Sequence, residues 1–379
     1  MCTYSEHPFG REGGNVAYFS GDSILLSVGT RDGLYLLESD SVRSGWRQRG
    51  PYLTGMDISH AILDGRDGRT LYAAGAGSGS TSVYRSDDRG ETWAIAGQPF
   101  DAEQIWHVEP ATEHEPAVVY AGVMPAALYR SADRGDTWNE VTGLTSHHTR
   151  SEWQGGGGGL CLHTIVTHPK QPKHLGVGIS AVGWFVSEDG GASWESRNSG
   201  VPSFAEIFAE EFGIPLQHMD IHNCVHKAVR HPSNGLLYQQ NHDGVYKTEN
   251  NGAEWIDISA GLPSRFGFVI GVTADGTVYV VPQHDWEEPV GVRITGQLTV
   301  CRMRHGSDSW EALSNGLPEV RNMTLYREGM ATDHCAPGGV YFGTSDGNLY
   351  GTSDGGDSWT TLASELPSVR SVSCEHYTS

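Results

Sequence analysis

Ser86-Asp87-Asp88-Arg89-Gly90-Glu91-Thr92-Trp93 decides how this chain is read, because the stretch recurs. It returns as Ser131-Ala132-Asp133-Arg134-Gly135-Asp136-Thr137-Trp138 and as Ser187-Glu188-Asp189-Gly190-Gly191-Ala192-Ser193-Trp194. Thr352-Ser353-Asp354-Gly355-Gly356-Asp357-Ser358-Trp359 is another good copy, and Thr248-Glu249-Asn250-Asn251-Gly252-Ala253-Glu254-Trp255 is a weaker one. Two more have decayed, one ending at Trp46 and one running from Arg304 to Trp310. These residue types describe a turn between strands. The Asp or Asn side chain accepts from backbone N–H groups, Gly takes a positive φ, and Trp buries a large ring on the next strand. Between the turns, short strand-like runs are bounded by Gly, Asp, Asn and Ser, and helical periodicity is scarce.

The turn resembles the Asp-box, or BNR, repeat of sialidases, the sortilin luminal domain and photosystem assembly factors. That resemblance implies a β-propeller in which the boxes are structural turns remote from the catalytic face. One turn per about 40 to 50 residues predicts blades. Seven are expected in one all-β domain over residues 1–379: 24–49, 56–95, 104–141, 160–197, 223–258, 266–313 and 322–362. The first lacks an inner strand, so residues 368–374 should complete it. That closes the ring and removes open sheet edges. The resemblance does not extend to sialidase chemistry. Sialidases clamp a carboxylate with three arginines, the first in an Arg-Ile-Pro motif near the N-terminus. The only Arg-Ile here is Arg293-Ile294-Thr295, late in the chain.

Composition narrows the partners. The chain holds 25 Lys and Arg against 46 Asp and Glu, a net charge of −21. This argues against nucleic acid and anionic membranes and leaves a small-molecule substrate. The first residues carry no signal-peptide pattern, and no apolar run approaches the length of a membrane span. Six scattered cysteines are not the framework of a secreted mini-domain, so a cytoplasmic location is expected. No sequence feature sets an oligomeric state.

Four histidines stand out. His60 lies 12 residues before Tyr72, His163 12 before Leu175, His226 12 before Tyr238, and His107 13 before Tyr120. Each would sit near the start of an inner strand, and inner strands line a propeller's axis. His60, His107, His163 and His226 are therefore candidate metal ligands. The competing reading is an inherited packing position. His168 and His231, each before a Pro in the inner hairpin turn, are read that way. An all-nitrogen set without nearby carboxylates argues against Mg and Ca. It favours iron or copper, with zinc as the hydrolytic variant. In geometry only, the set resembles the four-His iron of carotenoid-cleaving oxygenases, which are also propellers.

Cys161 and Cys224 lie two residues before His163 and His226, where Ile58 and Ile105 precede the other two. They read as packing residues or as thiols beside a metal. Long connections at 145–159, 200–222 and 283–298 should gather on the same face. The second includes a short amphipathic run, 204–212. The first ends in five glycines, Gly155 to Gly159, with no nucleotide-loop lysine after them. His242 and His284, in turns on this face, are the candidate catalytic acid–base residues. The leading expectation is an iron or copper oxidoreductase acting on a small molecule. The alternatives are a hydrolase or lyase, zinc-dependent or glycosidase-like, and a non-catalytic binding or assembly propeller.

Overall fold

The computed structural model describes residues 22–77, 79–205, 213, 218, 220–283 and 292–378. Seven four-stranded antiparallel sheets follow one another in it. Their innermost strands are Val369–Thr378, Asp57–Leu63, Gln104–Pro110, Leu162–Thr167, Lys227–Arg230, Gly267–Val272 and Met330–Thr332. These strands touch in that order, and the last returns to the first. The protein is a seven-bladed β-propeller, as its repeats predict. The C-terminal strand does close the first blade, pairing with Asp22–Thr30 from Asp22↔Thr378 to Thr30↔Val369.

The chain forms these sheets because both faces of each must be apolar. Side chains alternate along a strand, so each blade feeds the seams on either side of it. In the first blade Ile24, Leu26 and Val28 pack against Tyr341, Leu349 and Val369, towards blade seven. Their neighbour Leu25 packs against Ile58, Leu63 and Leu71 of blade two. Tyr72 and Ala74 leave blade two on its other side, to meet Val108, Val119 and Trp138 of blade three. Among the described residues there are seven such apolar clusters, one for each seam.

The recurring turn locks the outer part of each blade. In blade three Ser131 Oγ accepts from Gly135 N–H at 2.7 Å and donates to Asp133 at 2.7 Å. Asp133 also accepts from Thr137 N–H at 2.8 Å and Thr137 Oγ at 2.6 Å. The bonds from Thr137 and Ser131 hold its carboxyl down at about 2. Two successive residues, Arg134 (φ 63°) and Gly135 (φ 95°), are left-handed, and the other copies repeat this. That is why each box carries Arg-Gly, Gly-Gly or Asn-Gly there. Trp138 then donates its Nε1–H to Ala96 O of blade two at 3.0 Å. Trp255 and Trp310 likewise reach back to Arg197 O and Ile258 O of the preceding blades. Arginines brace the opposite direction. Arg85 of blade two holds Arg134 O and Asp136 in the box of blade three, and Arg302 holds Gly355 O and Asp357 in that of blade seven.

Two features depart from the expected boundaries. Blade seven was expected to begin near Asn322, but Glu319–Met323 pairs instead with Ile294–Gln297 in a separate two-stranded sheet. Its inner strand starts at Met330. The expected amphipathic run 204–212 falls, beyond Ala205, outside the described residues. His168 and His231 act within their turns, their Nδ1 atoms accepting from Lys170 and Ser233 N–H. Among the described residues, no helix is long and apolar enough to cross a membrane.

Trp138→Ala should cost about 3–5 kcal/mol, because it empties a buried seam. Ile95→Ala, half exposed on an outer strand, should stay within about 0.5 kcal/mol. Urea unfolding of both variants checks this, and similar small losses would contradict the seam's role.

Candidate functional site

Five of the seven inner strands enter the ring through a bulge, and the register decides which side chain faces where. In blade two Ile58 pairs with Gly75 and His60 with Ala74, leaving Ser59 as the extra residue. In blade three the extra residue is Trp106, between Ile105 and His107. In blade four it is His163 itself, between Leu162 and Thr164. In blade five Lys227 pairs with Gln240, directly after His226. The ladder thus makes His60, His107, Thr164 and Lys227 equivalent. His163 and His226 belong one residue earlier, with Ser59 and Trp106.

Counting from the second strand hid this offset. Leu175 pairs with the box residue Ser187 as Leu71 pairs with Ser86, so its counterpart is Leu71 and not Tyr72. In blade five the hairpin is one residue shorter: Val229 pairs with Tyr238, where Ile62 pairs with Tyr72. The four histidines are all buried at the ring's centre. Among the described residues, though, no three of them bring ring nitrogens within 4.8 Å of one another.

His60 and His107 stack with ring centroids 4.2 Å apart, over a carboxylate that sequence reading missed. Glu328, from the entry to blade seven, puts Oε1 3.1 Å from His107 Nδ1 and Oε2 3.7 Å from His60 Nε2. Lys227 pairs with the same Oε2. Burial alone would raise the Glu328 carboxyl, but Lys227 and His107 outweigh it and hold it well below the ordinary range. Burial pushes His107 down, and Glu328 more than restores it, so its pKa is raised. His60 is kept well below its usual value by burial and by the neighbouring His107. The result is a charged core: an ionised Glu328 between the Lys227 ammonium and the His107 ring, whose protonated form Glu328 favours. A divalent ion on His60, His107 and Glu328 would have to meet the Lys227 ammonium, so this core is unsuited to one.

Beside the core, in the layer of the bulges, lies a cavity of about 780 Å³. Trp106, Phe266, Phe268 and Tyr326 give it aromatic walls, and Arg293, Arg327 and Arg370 give it cations. Arg370 is paired with Asp57 at 3.0 Å. Arg327 has no carboxylate partner among the described residues. Its guanidinium lies 5.5 Å from the Trp106 ring centre and 5.3 Å from that of Phe268, against Gly158 of the glycine run. A cation held between two rings keeps its N–H edge for an anion.

His226 and His242 also line this cavity, their ring centroids 4.5 Å apart. Cys224 Sγ lies 2.9 Å from His242 Nδ1. Burial pushes the Cys224 thiol up to about 12, so it rests as a thiol rather than a nucleophilic thiolate. A second cavity of about 230 Å³ runs between Cys224, His242, Arg327 and Gly156–Gly157. His163 stands apart, its Nδ1 3.0 Å from Thr164 Oγ. His284 lies outside the described residues.

The expectation of His242 on the cavity face thus meets a cavity there, while the absence of carboxylates does not hold. Arg327 and Glu328 had a sequence signal. Glu328 stands four residues before Thr332, as His163 stands four before Thr167 and His226 four before Arg230, and Arg327 directly precedes it, but neither is a histidine. Lys227 directly follows His226 and was hidden by the same one-residue offset.

No protein-family model and no curated protein matches the chain. Solved structures do. An ancestral GH74 enzyme superposes with TM-score 0.59 at 18% identity over 81% of this chain, which spans only 38% of that enzyme. YCF48 bound to D1 peptide gives TM-score 0.54 at 15% identity, covering 81% of this chain and 82% of that one. A protein from Lactobacillus plantarum gives 0.57 at 13% identity, covering 94% and 99%. At these identities the likeness shows the β-propeller fold alone.

The buried histidines make stability depend on pH. His60 and His163 stay neutral in the fold, through burial and neighbouring cations, but take up protons near pH 6.5 once unfolded. The unfolded state then binds more protons, so stability should fall as pH drops below about 6.5. The slope is up to about 1.4 kcal/mol per pH unit for each proton. His107 acts oppositely, losing its contribution as pH rises through its raised value. Denaturant unfolding at pH 6.5 and 5.5 measures the balance; His163→Gln should flatten the fall, and an unchanged slope would contradict it.

Proposed function

We propose that this protein acts on a small anionic molecule in the axial cavity, as a hydrolase or lyase rather than as a four-histidine oxidoreductase. The observation that carries the reading is Arg327, a guanidinium without a carboxylate partner among the described residues, clamped between Trp106 and Phe268. The chain as a whole carries a charge of −21, yet three arginines meet at one cavity. Such a focus of positive potential in an acidic protein selects a carboxylate, phosphate or sulfate group. The aromatic walls suit an apolar or aromatic body attached to it. His242, exposed at the junction of both cavities, is the side chain placed to act on the bound molecule.

The glycosidase-like version is less well supported. That chemistry needs two carboxyl groups across the bond, one of them a proton donor. The cavity's carboxylates among the described residues are Asp57 and Glu328, and both are tied to cations. The iron or copper oxidoreductase rested on four converging imidazoles, and the ring nitrogens do not converge. Fold likeness to both a GH74 enzyme and a peptide-bound YCF48 leaves enzyme and binding protein open, so the site must choose. The hydrogen bonds of the recurring turns support reading them as Asp-boxes.

Benzoate and phenyl phosphate should raise the melting temperature of the wild type. Arg327→Gln should weaken their binding about tenfold to a hundredfold, the worth of a charged hydrogen-bonded pair. Nitrophenyl esters bearing a free carboxylate should be hydrolysed, with His242→Asn retaining binding and losing turnover. Binding without turnover in the wild type would instead favour the binding propeller. An Arg327→Gln variant that binds as well as wild type would refute the anion seat.

A further inference from the structure

We propose that Cys224, His226 and His242 hold a divalent ion of the zinc class in the cavity wall, with a fourth position open to the cavity. Their ligand atoms all lie within 4.8 Å of one another. One ion can gather three donors at that spacing with small side-chain movements.

Each donor is positioned by its own part of blade five. Cys224 and His226 are two residues apart on the chain entering the blade, just before its inner strand begins at Lys227, and their ligand atoms come together there. His242 comes from the turn after the second strand. Asn241 joins the two: its Nδ2 donates to Cys224 O at 3.1 Å, while its Oδ1 accepts from Asp243 and Gly244 N–H at 2.8 and 3.0 Å. The turn carrying His242 is thereby tied to the backbone of Cys224.

The tautomer of His226 is set by the backbone. Its Nδ1 lies 2.6 Å from Gly267 O, and a carbonyl can only accept, so Nδ1 carries the proton and Nε2 a lone pair. That Nε2 is buried and has no hydrogen-bond partner, in a residue 0% exposed. A ring N–H held by a carbonyl, with the other nitrogen left as a bare donor, is the arrangement behind metal-bound histidines. An orphaned buried nitrogen is otherwise a cost that nothing offsets. Phe266 and Phe268 pack on the same ring, at 5.2 and 4.6 Å, and keep water from that side.

The donor set names the class of ion. One sulfur and two imidazoles suit zinc better than calcium or magnesium, and three protein ligands leave the opening of a reactive rather than a structural site. When the ion binds, the Cys224 S–H bond breaks, the sulfur keeps the electron pair, and the proton passes to solvent. The other candidate clusters are already spent. Lys227 occupies the Glu328 carboxylate beside His60 and His107. In the Asp333, Cys335 and His376 group, Asp333 accepts from Arg43, Tyr341 and the Cys335 and Gly339 N–H groups, and His376 Nε2 accepts from His334 N–H.

Ion uptake is read without any organic ligand, so this test stands apart from the anion seat. The full chain, stripped with chelator, is titrated with cobalt(II), the spectroscopic stand-in for zinc. One cobalt per chain is expected, with a near-ultraviolet sulfur-to-cobalt charge-transfer band that zinc abolishes. Cys224→Ser should remove the band, and His242→Asn, at an exposed position that leaves folding intact, should weaken uptake at least about tenfold. His60→Gln should change neither. No uptake by the wild type, uptake without the band, or a band that survives Cys224→Ser would each overturn the site.

Discussion

Everything in this protein depends on apolar seams that a single sheet cannot bury alone. Each blade is hydrophobic on both faces, so each needs a neighbour on both sides. Only a closed ring meets that demand for every blade at once. The last strand must therefore come back to the first sheet, and Val369–Thr378 does so. The box tryptophans and bracing arginines tighten the seams from outside, where blades diverge and the apolar area thins.

Closure has a consequence at the centre. Seven inner strands converge there, and the register of each decides which residues line the axial cavity and which sit in the adjoining core. Polar groups placed at such a point must neutralise one another or be used. The core does the first: Glu328, Lys227 and His107 balance, with His60 stacked beside them. The cavity layer does the second. Arg327 and the His226 Nε2 are left without a complete set of partners from the scaffold, beside the Cys224–His242 contact.

The fold was legible because its signal is repeated. Five box copies, each with Asp or Asn, Gly and Trp in fixed order, state the turn geometry more than once, and the box spacing states the blade. The site was less legible because it is not repeated. His60 and His107 share a register, but His163 and His226 reach a similar count by a different pairing and by a shorter hairpin. A one-residue slip turns a side chain to the other face, and sequence distance cannot see it. Glu328 and Arg327 come from blade seven, which carries no such histidine, so a search for identical residues passes over the groups that complement them. Ile294–Gln297 and Glu319–Met323, which pair outside the ring, were hidden for a related reason: their runs look like blade strands.

The most direct measurement is nitrogen-15 NMR of the imidazole rings in histidine-labelled protein, freed of metal, across neutral pH. The four axial rings differ in their surroundings and so in their expected states. His107, hydrogen-bonded to Glu328, should keep its proton to a higher pH than the other three. His60 and His163 should be neutral, and His226 should be neutral with its proton on Nδ1 and a bare Nε2. Four rings titrating together near pH 6.5, or a His226 protonated on Nε2, would contradict the division between charged core and donor wall on which the site rests.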